Sequence, residues 1–171
     1  MKYELNEKSV TGVQYISKHC LVCGTDNVLG LHAQFFNLED GSICALFSAQ
    51  DEHQSYPGRV HGGMVSAILD ETLGRAIQVS EPEAFGVTIE LNVKFRQPVP
   101  LGEELKVVAR LDSNTKRTFG GTAELLLADG SVAAQATAKY LRLDVNDIVD
   151  GGLEDSNWVT DERPAPQKIE A

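Results

Sequence analysis

The sequence predicts an α+β fold in which one long helix is wrapped by a curved antiparallel β-sheet. Three observations carry this expectation. Residues 86–97 alternate apolar and polar side chains; residues 61–80 bear a broad helical apolar surface; and turn signals at Glu39-Asp40-Gly41 and Asp129-Gly130 join strand-like runs into hairpins. With two strands before the helix and four after it, the sheet can cover the helix only by curling around it.

In chain order, residues 31–38 and 42–49 flank Glu39-Asp40-Gly41 and read as the first hairpin. In residues 61–80, Met64, Val65, Ile68, Leu69, Thr72, Leu73, Ala76 and Ile77 recur at helical spacing. That surface is wider than a single stripe, so the helix is expected to be largely enclosed. In GVTIELNVKFRQ, Val87, Ile89, Leu91, Val93 and Phe95 alternate with polar residues, which predicts a strand with one buried face. Pro98 and Pro100 end it, and the chain turns into a strand over residues 105–111. Residues 117–128 and 131–143 meet across Asp129-Gly130, a strong hairpin signal. The body shows no internal repeat.

A length of 171 residues fits one domain, expected over residues 1–143, with residues 144–171 as an acidic C-terminal tail, poorly ordered or docked on the domain. The 25 acidic and 15 basic residues leave a formal charge of −10. Such a balance excludes a sequence-independent nucleic-acid binder and adsorption to an anionic membrane. No apolar run approaches the roughly 20 residues of a membrane helix, and MKYELNEKSV is too charged for a signal-peptide core. Three cysteines cannot all pair within one chain, so reduced thiols and a cytoplasmic location are expected. The tail holds eight acids and two bases, whereas residues 86–143 hold eight bases and six acids. Trp158, the lone tryptophan, gives the tail a side chain able to dock.

The helix carries the candidate chemistry. His61-Gly62-Gly63 stands directly before it, where first-turn N–H groups are unpaired and partly positive. Glycines there let a ligand approach the backbone, offering a cradle for an oxyanion; they would serve equally as a tight loop-to-helix turn. Asp70 lies among small neighbours, Ser66, Ala67 and Gly74, on a helix otherwise expected to be enclosed. A carboxylate there calls for a ligand or another chain, the alternative being a solvent-exposed position. Glu71 has a simpler account, an i,i+4 pair with Arg75. Gly62 and Asp70 are eight residues apart, about 12 Å along a helix. If both act on one substrate they must come from two chains whose helices run antiparallel across a two-fold axis.

The ordered set Cys20-x-x-Cys23-Gly24-x-x-Asn27-x-x-Gly30-Leu31, Tyr56-Pro57-Gly58-x-x-His61-Gly62-Gly63, Leu69-Asp70-Glu71, Gly86-Val87-Thr88 and Pro98-Val99-Pro100-x-Gly102 resembles the hotdog-fold acyl-CoA thioesterases. Within them it resembles the phenylacetate-pathway-like branch of the 4-hydroxybenzoyl-CoA thioesterase superfamily, over residues 18–143. The resemblance implies a hydrolase that converts a thioester to a free acid and coenzyme A, needs no metal or redox cofactor, and works as a homodimer or homotetramer. It implies that the Gly62 amide polarises the carbonyl, with His61 shaping the loop, and that Asp70 of a second copy activates water or attacks the thioester. Thr88 would orient the water. Gly63 and Ser55 would adjoin the substrate, Ser55 standing where related enzymes carry asparagine.

Arg59, Arg96, Lys116 and Arg117, with Lys94 and Arg110, are candidates to receive the phosphates of coenzyme A, or solvated strand-face charges. Cys20 and Cys23 could begin a zinc site completed by His19, His32 or Cys44, but no second cysteine pair exists and a loop signature is the preferred reading. The competing functional class is a non-catalytic acyl-CoA-binding hotdog protein acting as a ligand sensor. A hotdog hydratase finds no matching Asp/His placement.

Overall fold

The computed structural model describes residues 2–150 and 158–171. Among them, ten strands occur: β1 (Glu7–Val13), β2 (Ile16–Ser17), β3 (Gln34–Leu38), β4 (Ile43–Ser48), β5 (Phe85–Phe95), β6 (Glu104–Asn114), β7 (Thr118–Leu126), β8 (Val132–Leu143), β9 (Trp158–Val159) and β10 (Lys168–Glu170). The main helix, α1 (Gly62–Arg75), continues as a 3-10 turn, Ala76–Val79, and a short α2 (Val145–Ile148) follows β8. Eight strands form one sheet in the order β10-β1-β3-β4-β6-β7-β8-β5, with every pairing antiparallel. Both expected turns carry a glycine at positive φ, Gly41 at 81° and Gly130 at 76°, the backbone that favours glycine in a tight hairpin.

The helix packs on the inner face of β4 to β8. Ile68, Leu69 and Leu73 are fully buried, each worth about 1.5–3 kcal/mol of apolar transfer. The run AAQATAKY in β8 makes room for them: Ala134, Ala136 and Ala138 are buried while Thr137 and Lys139 are exposed. A second apolar cluster, around Phe36, Leu38, Cys44, Val108, Leu126 and Ile169, lies apart from the helix-side core. Strands β3, β4 and the first half of β6 thus contribute buried residues to both clusters.

One expectation is corrected. The alternation of β5 does not place its five apolar residues on one face. Thr88 pairs with Tyr140 and Glu90 with Lys139, so a bulge falls between them at Ile89. Beyond it, Leu91, Val93 and Phe95 pair with Ala138, Ala136 and Ala134 and share their inner face, as Thr88 shares that of Tyr140. Val87 pairs with Leu141 on the outer face. Moreover β5 is an edge strand, and Ile89 and Phe95 are 53% and 56% exposed in the single chain.

At the C-terminus, residues 158–159 and 168–170 form two short strands: β9 pairs with β2, and β10 with β1. Trp158 stacks on Tyr15 at 6.3 Å and meets Phe85 edge-on at 5.9 Å. Asp161 and Arg163 are paired, and the Arg163 guanidinium donates to the carbonyls of His32 and Ala33. Residues 151–157 of the expected tail lie outside the described residues. No described helix is long and apolar enough to cross a membrane.

Candidate active site

The N-terminus of α1 is built by His61. Its backbone is extended (φ −63°, ψ 136°) and its Nδ1 accepts the Gly63 amide at 2.8 Å, making it the N-cap. Met64 and Val65 donate to the His61 carbonyl. These bonds sort the two glycines: Gly63 is committed to its own cap, whereas the Gly62 N–H has no acceptor among the described residues. An imidazole accepting at Nδ1 keeps any ring proton on Nε2. The His61 amide donates to the carbonyl of His53, whose buried ring bridges Gln50 N and Leu29 O, so the cap loop is anchored from behind. Gly62 shares a cavity of about 430 Å³ with Ser55, Arg59 and Arg96, although the Arg96 guanidinium also donates to Gln135.

Two turns further along, the Asp70 carboxylate is half-buried and held by two hydroxyls. Thr88 Oγ1 lies 3.0 and 3.1 Å from its two oxygens, and Tyr140 OH lies 2.9 Å from Oδ1 and 2.8 Å from the Asp70 carbonyl. The bulge at Ile89 turns Thr88 inward to make this contact, and Tyr140 stands beside Thr88 in the register. Burial and the Asp70 charge push the Tyr140 phenol well above its ordinary pKa, so it remains a hydrogen-bond donor. Sequence reasoning missed Tyr140; its only signal was an inward position in the 131–143 strand. Part of the small-residue face read as space for a ligand is in fact filled by this ring, because a Cβ at Gly74 would stand 3.1 Å from it.

Asp70, Thr88 and Tyr140 line a separate cavity of about 300 Å³ whose far wall includes Phe85, Ile148 and Trp158. The two ends of α1 therefore open into different cavities of one chain, with Asp70 in one and Gly62 in the other. Lys116 lines neither; it lies in a shallow recess with Glu81, Asn114 and Arg142. Arg117, next to it in the exposed turn between β6 and β7, is likewise apart from Arg59 and Arg96. Lys94 lies in a groove with Glu124 and Thr137, and Arg110 is bound to Tyr3 OH and Asp40.

Glu71 and Arg75 form the expected pair at 2.8 Å, with the guanidinium buried and the carboxylate partly exposed. The guanidinium also donates to Tyr15 O, approaches Cys23 Sγ at 3.3 Å, and lies over Phe35 and Trp158. Of the residues considered for a metal, Cys44 lies in the second apolar cluster and His32 Nε2 is 2.8 Å from Asn27 O. Cys20, Cys23 and Glu71 do converge, their donor atoms within 4.8 Å. The Arg75 cation already occupies two of these three donors, Glu71 and Cys23.

Known proteins resemble this chain in sequence and in fold. A family profile described as "Thioesterase superfamily" matches residues 57–142. The chain is 30% identical over 114 residues to the rat (Rattus norvegicus) acyl-coenzyme A thioesterase THEM4, covering 66% of this chain and 48% of that protein. To human acyl-coenzyme A thioesterase 13 it is 27% identical over 96 residues, 56% of this chain and 69% of the other. A crystal structure of a thioesterase superfamily protein superimposes with a TM-score of 0.66 at 29% identity, covering 72% of this chain and 60% of that one. Zebrafish thioesterase superfamily member 2 shares the fold, with a TM-score of 0.60 at 24% identity over 69% of this chain and 86% of its own. This chain spans about half the length of the rat relative.

Proposed function

The chain belongs to the thioesterase superfamily, and from that premise we propose that it is an acyl-CoA thioesterase acting in the cytoplasm, with its active sites at the interface of a homodimer or of a homotetramer built from such dimers. The observation that carries this reading is the division of the machinery along α1. A free amide at Gly62 opens into one cavity, and a carboxylate held by two hydroxyls opens into another, about 12 Å away along the helix. A second copy related by a two-fold axis antiparallel to the first would bring each Gly62 to the other's Asp70, forming two equivalent sites. The uncovered edge of β5, with Ile89, Leu91 and Phe95 exposed, offers the surface for that association.

In this reading the thioester carbonyl oxygen accepts from Gly62 N–H, reinforced by the helix N-terminus. The Asp70 carboxylate either takes a proton from water or attacks the carbonyl carbon. Thr88 spends its proton on Asp70, leaving oxygen lone pairs to accept from that water. Arg59 and Arg96, beside Gly62, are the cations suited to coenzyme A phosphates; Lys116 and Arg117 could reach only a more distant part of the ligand. Release of free thiol from a panel of acyl-CoAs tests the function. The parent is expected to turn over at least one, and Asp70→Asn to bind it without hydrolysis. Saturable binding with no thiol release by the parent would instead make the protein an acyl-CoA binder.

A further inference from the structure

The proposed reaction leaves the Cys20-x-x-Cys23 motif unused, yet the fold builds around it with care. Residues 17–24 form a tight turn in which Cys20 N donates to Ser17 O and Gly24 N to Cys20 O, both at 2.9 Å. A Cβ on Gly24 would fall 2.5 Å from two carbonyl oxygens, so only glycine closes this turn. The two Sγ atoms lie within 4.8 Å of each other, one turn apart and on the same side. Their surroundings differ. Cys20 is partly exposed, and its sulfur faces the backbone N–H groups of Val22 (3.3 Å) and Cys23 (3.5 Å). Cys23 is buried, against the Arg75 guanidinium.

We propose that Cys20 and Cys23 are a reactive dithiol that exchanges with low-molecular-weight disulfides and closes to an intramolecular disulfide, with Cys20 as the attacking sulfur. The Cys20 thiolate attacks one sulfur of a small disulfide such as oxidised glutathione, forming a mixed disulfide and expelling one glutathione thiolate. Cys23 then loses its proton and attacks the Cys20 sulfur, expelling the second thiolate. The protein dithiol gives up two electrons and the small disulfide takes them. The polarity of attack follows from access and from charge. The neighbouring Cys23 thiol, helped by the two backbone amides and opposed by burial and Glu71, brings the Cys20 thiol down, while the Cys20 sulfur and burial push Cys23 up. Arg75 stands ready to steady the transient Cys23 thiolate. The inference does not depend on the hydrolytic reading.

The test incubates the full chain in glutathione buffers of graded reduced-to-oxidised ratio, quenches with acid, alkylates and determines intact mass and peptide map. The expected product is lighter by two hydrogens, with alkylatable thiols falling from three to one and Cys44 left free. In the reduced protein Cys20 is expected to alkylate at least tenfold faster than Cys44 at neutral pH. Cys23→Ser should hold one glutathione on Cys20, and Cys20→Ser none. The peptide map of the parent locates the bond even if a variant fails to fold. Absence of a Cys20–Cys23 bond at every ratio, or protection of both thiols by equimolar zinc with no exchange, overturns the proposal.

Discussion

Replacing Gly62 by proline removes one backbone N–H and leaves the rest of the helix start in place. Gly62 is the first helical residue, the position where proline is best tolerated. Its N–H serves no acceptor among the described residues, so the folded chain loses no internal hydrogen bond. His61 before it already has the extended backbone that a following proline demands, at φ −63° and ψ 136°. A Cβ at position 62 meets only the Phe95 ring, at an ordinary 3.5 Å. Stability is therefore expected to change by less than about 1 kcal/mol. If the amide binds the developing oxyanion, kcat should fall by about 10²–10³, or ~2.7–4 kcal/mol, while Gly62→Ala, which keeps the N–H, should remain active. Thiol release from acyl-CoA, read beside denaturant unfolding, separates the two effects. Refolding Gly62→Pro together with Asp70→Asn in equal amounts extends the experiment. Half of the randomly assorted dimers would be mixed, each with one intact site of two, restoring about a quarter of parental activity. Parental rates from Gly62→Pro would sink the oxyanion assignment, and no recovery on mixing, with mixed dimers demonstrably present, would sink the two-chain site.

Tyr140→Phe keeps the stacking on Phe119 at 4.9 Å but removes the donor to Asp70. It should slow kcat about tenfold or more while leaving KM within a small factor, as steady-state assays would show. Trp158→Ala opens the far wall of the Asp70 cavity; the ratio of kcat/KM for longer over shorter acyl chains is expected to rise, and an unchanged ratio would remove Trp158 from the acyl pocket. At Asp161, burial would raise the carboxyl, but hydrogen bonds and charge from Arg163 outweigh it and hold the group below the usual range. With the folded-state value lower than the unfolded one, this stabilisation is present above the ordinary aspartate range near 4 and is lost as pH falls through the folded value. Denaturant titrations from pH 6 to 2 should therefore show a smaller acid-induced loss for Asp161→Asn than for the parent.

Much of the architecture was legible because local chemistry and global packing agree. The helical spacing from Met64 to Ile77, the turns at Gly41 and Gly130, and the alternation from Val87 to Phe95 each point to an element that exists. Strand β1, EKSVTGV, mixes charge, glycine and small polar residues and carries no clear period; it exists because β3 and β10 flank it. Strands β9 and β10 are two and three residues long, too short for any pattern. For the site, the helical placement of Gly62 and Asp70 was readable, since both lie on one element. Tyr140 was not, because its hydroxyl reaches Asp70 from a strand 70 residues away. The pairing of Arg75 with Glu71 was readable from its i,i+4 spacing, but that spacing says nothing of Phe35 and Trp158 closing over the guanidinium.

The single unpaired residue at Ile89 binds two properties into one inheritance. Upstream of it, β5 presents a hydroxyl to the helix; downstream, it presents Leu91, Val93 and Phe95 to the same side. Pairing Ile89 regularly, with no bulge, would throw the two halves out of phase: keeping Thr88 inward would send the apolar trio outward, and keeping the trio inward would withdraw Thr88. A lineage carrying this fold can therefore vary the chemistry of the pocket or the composition of the exposed edge by point changes, so long as the pairing keeps its bulge.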